Sequence, residues 1–351
     1  MAVKFSLTRV KNSAPLAADW LALETRNTHS FFQSWVWTGC LFAERFDDPI
    51  LLTCDEDGAP IALGLFNRRV NMIGATSLHL GESGVPALDA PYIEHNGLIG
   101  AWDTAQISAM LRHARTGTLD GRRPILPRRL VLSGVDGIHL AAVTHVGGTV
   151  SVARTHTAPY VDLELLRSTG IEHLPSLSAN SRHQLRRSAR QFAVRGALAI
   201  TRATSAALAH DYLDSLAELH QRAWTSRGKP GAFANPFFRR FHHALIDRAP
   251  EQVDLLRISA GDHAIGYLHN FRHRGQVLAY QSGFDYANPT SHQKPGLTCH
   301  QLAIAMYAAE GAIMYDFLAG ADRYKQSLAN AATTLHWLSI TPDLSEIMRR
   351  N

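Results

Sequence analysis

Between residues 276 and 318 the hydrophobic period of the chain changes twice, and few folds accommodate that change. Residues 276–284 (QVLAYQSGF) are rich in apolar and aromatic side chains and predict a strand. Residues 285–295 carry Asn, Pro, Thr, Ser, His and Lys and predict a loop that Pro295-Gly296 closes. From Leu297 the apolar residues return at helical spacing, through Leu302, Ile304, Ala305, Ala308 and Ala309, and Gly311 marks the helix end. Residues 312–318 (AIMYDFL) then read as a buried strand, ended by Gly320 and followed by Tyr324-Lys325. A strand, a Gly-containing loop, a helix start and a second strand is how α/β proteins offer backbone N–H groups to a phosphate.

The rest of the chain supports two copies of one element order. In the first half, 15–26 and 31–46 predict helices. Residues 50–54 and 59–70 predict strands around the turn Asp55-Glu56-Asp57-Gly58, and 76–80 a third strand. Residues 91–100 (PYIEHNGLIG) predict a strand, Asp103 caps a helix to about residue 116, and strands are expected at 128–133, 149–154 and 160–163. The second half predicts a basic helix within 175–195, a strand at 197–202, helices at 208–226 and 236–248, and a meander at 253–259, 264–272 and 276–284. A short helix over 323–330 and a final strand over 333–340 complete it. The expected division gives domains 1–165 and 166–351.

Composition narrows the function classes. The chain has 351 residues, 46% hydrophobic and 19% charged, which affords sizeable cores and excludes a disordered chain. A net charge of +5 favours an anionic ligand weakly and nucleic acid more weakly. Cys40, Cys54 and Cys299 form no C-x-x-C pair, which fits free thiols in a reducing compartment. No signal peptide and no membrane-spanning run is read, so the expectation is a cytoplasmic protein without a membrane partner.

Four stretches carry a family resemblance: SANSRHQLRRSARQF (178–192), GYLHNF (266–271), YQSGFD with the following KPG loop, and YDFLAGADRYK (315–325). In the first half IEHNGL (93–98) adds to it. Together they resemble the CelD-like group within the GNAT superfamily of acyl-CoA N-acyltransferases. The same two-domain architecture links them to the Fem-type aminoacyl-tRNA-dependent peptidyltransferases. The resemblance implies an α/β (α+β) fold of tandem GNAT-like domains, each a mixed, mainly antiparallel sheet flanked by helices. It implies acetyl-CoA or another acyl-CoA as co-substrate and a small-molecule amine acceptor, an amino-acid or sugar derivative, held between the domains. The first domain is expected to be degenerate, since residues 89–103 contain no comparable phosphate loop. The alternatives are a Fem-type transferase with tRNA as partner, a non-catalytic scaffold of a polysaccharide-synthesis system and, least favoured, a basic nucleic-acid-binding protein.

In this reading Lys294, Pro295, Gly296, Leu297 and Thr298 hold the CoA pyrophosphate, with a helix dipole behind them. The superfamily loop carries Gln/Arg-x-x-Gly-x-Gly/Ala, whereas this one offers a single Gly and a Pro. Arg186 lies with Arg182 and Arg190 on one helix face and adds a phosphate contact; the plain alternative is a solvated basic face. Acyl transfer needs a neutral amine, a stabilised oxyanion and a protonated leaving thiolate. Asp285, at a strand end, is expected to take the amine proton, Lys325 to hold the oxyanion and Tyr324 to protonate the thiolate. Tyr280, Gln281 and Asp316 are the expected substrate contacts. The structural alternatives are that Asp285 caps a turn, Asp316 pairs with an arginine and Tyr324 belongs to the core. Cys299 in the first helical turn raises an acyl-Cys route, which direct transfer makes the lesser one. His269 and His273 share a strand face but lie over ~13 Å apart along it, and His242-His243 diverge on a helix, so no metal is expected.

Overall fold

Asp57 and Gly58 both adopt left-handed backbone angles, φ 50° and 86°, the pair of signs a two-residue hairpin turn requires. That turn sets the register of the longest hairpin in the first half, with Glu56 opposite Ala59 and Ile50 opposite Phe66. The computed structural model describes residues 3–343 apart from 102, 288–291 and 321, and leaves the Arg123 side chain undescribed.

In chain order the elements are β1 (Val3–Arg9), α1 (Ser13–Arg26), α2 (Trp35–Arg45), β2 (Pro49–Glu56), β3 (Ala59–Val70), β4 (Thr76–Leu80), α3 (Thr104–Thr116), β5 (Thr118–Leu119), β6 (Arg123–Pro124), β7 (Arg129–Val135), α4 (Gly137–Val143) and β8 (Thr149–Asp162). There follow α5 (Leu163–Thr169), α6 (His173–Ser176), α7 (Ala179–Ala193), β9 (Leu198–Arg202), α8 (Ala206–Thr225), α9 (Pro236–Arg248), β10 (Val253–Ala260), β11 (His263–His273), β12 (Gln276–Phe284), α10 (Pro295–Ala309), β13 (Met314–Asp316), α11 (Arg323–Leu328) and β14 (Ala331–Thr341). Two compact units result: Met1–His156 with Thr334–Asn351, and Thr157–Thr333. The expected cut at 165/166 falls inside α5, and the last strand returns to the first unit, where β14 pairs with β7. Among the described residues no helix is long and apolar enough to cross a membrane.

In the first unit the strands run β6-β5-β1-β2-β3-β4-β7-β14. All neighbours are antiparallel except β1–β5 and β4–β7. Leu52, Phe66, Leu78, Leu130 and Leu132 pack with Ile107 and Leu111 of α3 on one face. Trp20 and Leu23 of α1 cover Leu63 and Leu65 on the other.

The parallel pair β4–β7 holds register from Ser77↔Arg129 to Leu80↔Leu132 and then admits a third segment. Residues 93–99, expected as a strand, enter there as an irregular plug that makes only isolated bridges, Leu63↔Ile99 and Asn96↔Val135. His95 at φ 48° and Gly100 at φ 80° break any extended run. Asn96 Nδ2 donates to Leu80 O and Ser133 O, both at 3.0 Å, and so ties the ends of the two strands together. Its backbone N–H donates to Gly134 O at 3.0 Å. Local pattern reads 91–100 as strand because the apolar spacing is right; the side chain of Asn96 decides otherwise.

The second unit orders its strands β8-β13-β12-β11-β10-β9, antiparallel except for β12–β13. The expected strands at 149–154 and 160–163 are one continuous β8, and the strand expected over 312–318 is only β13. β13 is short because Leu318 sits at φ 59° and Asp316 Oδ1 accepts its N–H at 2.7 Å, which turns the chain away.

Gly134 adopts φ 65°, and a Cβ there would lie 2.4 Å from Ile93 O, so both backbone angle and space exclude a side chain. Gly134→Ala is expected to lower the unfolding free energy by about 2 kcal/mol or more in urea denaturation. Wild-type stability would show that the plug is not seated as described.

Candidate active site

Helix α10 begins without a side-chain cap. Every other α-helix of seven or more residues among the described ones starts at Asn, Ser or Asp whose side chain accepts a first-turn N–H: Asn12, Ser34, Asp103, Asp136, Asp162, Ser178, Ser205 and Asn235. The 15-residue α10 has Lys294 at that position and no cap bond, with Pro295 next. The first four N–H groups of a helix have no intrahelical acceptor. Proline lacks one, and Thr298 N donates to Lys294 O at 3.0 Å, so Gly296 and Leu297 present the orphan donors of the first turn. The dipole adds a partial positive charge at the same point.

Ser188 of α7 holds this turn in place. Its buried hydroxyl accepts the Lys294 N–H at 2.9 Å and lies 2.8 Å from Thr298 Oγ1. It thereby fixes the backbone on both sides of the orphan donors without consuming them. Leu185, Ser188 and Phe192 form the buried stripe of α7 that allows the approach. Arg186, Arg187 and Arg190 lie on its exposed surface, and Arg182 donates to the carbonyls of Pro175 and Leu177. Sequence reading fixed on those arginines and missed Ser188. The available signal was a lone serine at the centre of an apolar stripe.

A cleft of about 620 Å³ opens at the start of α10. Lys294 and Leu297 line it from α10, Ser181 and Gln184 from α7, and Arg323 and Tyr324 from α11. Two cations therefore stand with the orphan N–H groups at one polar mouth, the composition an anionic ligand requires.

The second component is the parting of β12 from β13. Their parallel register covers only Gln276↔Met314, Val277↔Tyr315 and Leu278↔Asp316. Beyond Leu278, no described strand pairs β12 on that side. The register with β11 also jumps, from Asn270↔Ala279 to His269↔Gln281, which leaves Tyr280 as a bulge residue. A bulge leaves its extra residue unpaired and locally disrupts the ladder.

Aromatic rings wall the space between α10 and α11. His300 lies parallel to Tyr324 at 5.4 Å between ring centroids, with Phe317 and Phe284 edge-on to it. His300 Nδ1 lies 2.8 Å from the Tyr315 hydroxyl. Burial, with help from the nearby Lys325 ammonium, pushes its pKa down to about 3, so it is neutral at ordinary pH. Burial raises the Tyr324 phenol above its usual range, so it stays protonated. Cys299 is fully buried and its thiol is pushed up, which disfavours a thiolate nucleophile despite the helix start.

The remaining expected residues are committed to main chain or to other partners. Lys325 is buried, and its ammonium donates to Ala319 O at 2.9 Å and Leu318 O at 3.3 Å. Asp316 is buried and accepts the Leu318 N–H. These two side chains shape the turn after β13. Asp285 accepts the Ala287 N–H at 2.9 Å and pairs with His263 at 3.0 Å. Part of the loop that follows, residues 288–291, lies outside the described residues. Tyr280 packs away from α10, among Phe238, His242, His269 and Phe271. Gln281 is half-buried beside it. The structure thus places Lys294, Leu297 and Tyr324 in the cleft lining, sets Pro295, Gly296 and Thr298 in the same first turn of α10, and leaves Arg186 outside the lining. Among the described residues no group of three or more His, Cys, Asp or Glu could hold a metal ion.

Residues 179–326 match the family model of the acetyltransferase (GNAT) domain. A search of curated proteins gives no significant match. Among solved structures the chain is similar to FemX, at 9% identity and TM-score 0.62, over 100% of this chain and 99% of that one. It is similar to a tandem GNAT protein from the clavulanic acid biosynthesis pathway, at 11% identity and TM-score 0.51, over 96% and 98%. L-PGS from Bacillus licheniformis aligns at 12% identity and TM-score 0.52, over 95% and 94%. The chain carries a tandem GNAT-type acyltransferase fold, its second unit bearing the matched domain.

Ser188→Ala would orphan the Lys294 N–H and remove the Thr298 contact, at an expected cost of about 2 kcal/mol in urea denaturation. A loss below about 0.5 kcal/mol would show that the hydroxyl does not hold the turn. The buried histidines set a second expectation. His269 and His300, both lowered to about 3, stay neutral in the fold while the unfolded chain takes up protons below about 6.5. The unfolded state then binds more protons, so stability falls as pH drops from about 6.5 towards 4, by about 1.4 kcal/mol per pH unit for each. Denaturation midpoints across that range measure it, and a flat profile would contradict buried neutral imidazoles.

Proposed function

We propose that the chain is an acyl-CoA-dependent N-acyltransferase, most simply an acetyltransferase, acting on the amine of a small molecule such as an amino-acid or sugar derivative. The observation that carries this is the uncapped α10, with Gly296 and Leu297 N–H unspent and Lys294 and Arg323 beside them, at the mouth of the cleft. A pyrophosphate there gains backbone donors, the helix dipole and two cations at once.

From that anchor the thioester would extend towards the open edge of β12. Its carbonyl oxygen would accept from edge amides near the Tyr280 bulge, which stabilise the charge that develops as the amine attacks. The new N–C bond forms, the C–S bond breaks and the thiolate leaves with a proton. Tyr324, half-buried against His300 and protonated, is the candidate donor of that proton. Asp285, backed by the half-exposed His263, is the candidate acceptor for the proton lost by the amine. Lys325 and Asp316 act in this scheme by holding the turn after β13 rather than by touching the reacting atoms.

A second reading rests on the exposed Arg186, Arg187 and Arg190 of α7, a surface suited to a long polyanion. With the fold shared with FemX, it supports an aminoacyl-tRNA donor in place of acyl-CoA.

Calorimetric titration with acetyl-CoA and with desulfo-CoA separates the two. The proposal expects a roughly micromolar Kd. In Gly296→Asp, whose carboxylate would face the phosphates, affinity should fall by about a hundredfold. Absence of binding in folded protein, with salt-sensitive binding of charged tRNA, would replace the CoA reading by the tRNA one.

A further inference from the structure

We propose that the β3–β4 hairpin tip is a docking point for an anionic phospholipid surface. Met72 is 104% exposed and Ile73 87%, with Val70 at 50% beside them. Two large apolar side chains in full contact with water at one turn are not explained by the packing of the unit.

The turn presents them rigidly. Asn71 N–H donates to Ala75 O and Gly74 N–H to Asn71 O, both at 3.0 Å. Asn71 Oδ1 also accepts from the N–H of Ala75 at 2.8 Å and of Ile73 at 3.1 Å. Gly74 supplies the left-handed angle, φ 76°. The backbone of the turn is satisfied without any contribution from the Met72 and Ile73 side chains, which are left to project.

The two segments that flank the tip are basic in sequence. Residues 59–81 and 121–135 contain Arg68, Arg69, Arg122, Arg123, Arg128 and Arg129 and no Asp or Glu. Arg68 and Arg69 are paired with Asp48 and Asp47. Arg128 and Arg129 are exposed and make no ion pair among the described residues. The register places them next to the tip: Arg69 lies opposite Ser77, Ser77 beside Arg129, and Arg128 N donates to Thr76 O at 2.7 Å. Leu126, 37% exposed at φ 37°, adds a third apolar group on the same segment.

Apolar side chains that insert and guanidinium groups at headgroup level are the two signals that reversible bilayer binding combines. Neither suffices alone, so binding should require anionic lipid. The partner is specified by charge: arginines unpaired by carboxylate suit phosphate headgroups.

The test is co-sedimentation of the full chain with vesicles of phosphatidylcholine, with and without about one-third phosphatidylglycerol, at low and at physiological salt. The expected result is binding to the anionic vesicles only. The double variant Met72→Ser/Ile73→Ser should lower the partition coefficient about tenfold or more. Arg128→Gln/Arg129→Gln should abolish the preference for anionic lipid. These positions are exposed, and circular dichroism melting should match wild type. Failure of the wild-type chain to sediment with anionic vesicles at physiological salt overturns the proposal, as does wild-type partition of the tip variant. Concentration-dependent self-association that the tip variant abolishes, without vesicle binding, also overturns it and assigns the tip to a second copy.

Discussion

Two parallel strands that part company leave peptide groups along both inner edges, and buried peptide groups have to find partners. This constraint organises both units. In the first unit β4 and β7 separate after Leu80 and Leu132, and the chain fills the gap itself. Asn96 carries the main burden, because one amide reaches the carbonyls of both strand ends while its backbone bonds Gly134. In the second unit β12 and β13 separate after Leu278 and Asp316. There no described strand fills the gap, and a cleft lined by α7, α10 and α11 opens at the start of α10. The two units meet one geometric problem differently: the first fills the gap with its own chain, and among the described residues no strand fills the second.

The start of α10 follows the same logic from the helical side. Among the described residues, every other α-helix of seven or more residues is capped by Asn, Ser or Asp, from Asn12 to Asn235. At Lys294-Pro295-Gly296 the cap is withheld and Ser188 supplies support from a neighbouring helix instead. An Asp or Ser at 294 would satisfy the free donors and occupy the position an anion would take. Leaving the cap out costs stability that the buried Ser188–Thr298 contact offsets in part.

Much of this was legible in the sequence because it is local. The Asp57-Gly58 turn, β3, β4 and the Asp103 cap are fixed by residues adjacent in the chain, and they fall where pattern and turn chemistry place them. The strand–loop–helix–strand order around Gly296 was equally readable. What escaped depends on residues far apart. Asn96 converts an apolar run into a plug through carbonyls 16 and 37 positions away. Ser188 acts on a turn 106 positions downstream. A lone serine in an apolar stripe marks the position, but nothing local says which turn it braces. The join of 149–154 to 160–163 was lost for a related reason: a largely exposed strand has no hydrophobic alternation to carry the period across residues 155–159.

The disposition of the polar side chains bears on how any chemistry is divided between side chain and backbone. Lys325 and Asp285 were expected to act on the reacting atoms, and Asp316 to contact the substrate. Each spends bonds on a turn: Lys325 on two carbonyls, Asp316 on the Leu318 N–H, and Asp285 on the Ala287 N–H while its other oxygen pairs with His263. At the start of α10, what remains uncommitted is backbone, namely the donors of Gly296 and Leu297. Main-chain donors are set by the fold and lose no side-chain entropy when a ligand arrives, so their placement is the form of preorganisation that electrostatic stabilisation favours. A site built this way tolerates the loss of single polar side chains better than it tolerates a shift of the strands and turns that aim its amides. The residues that matter most in it are then those that hold backbone: Ser188, Lys325 and Asp316.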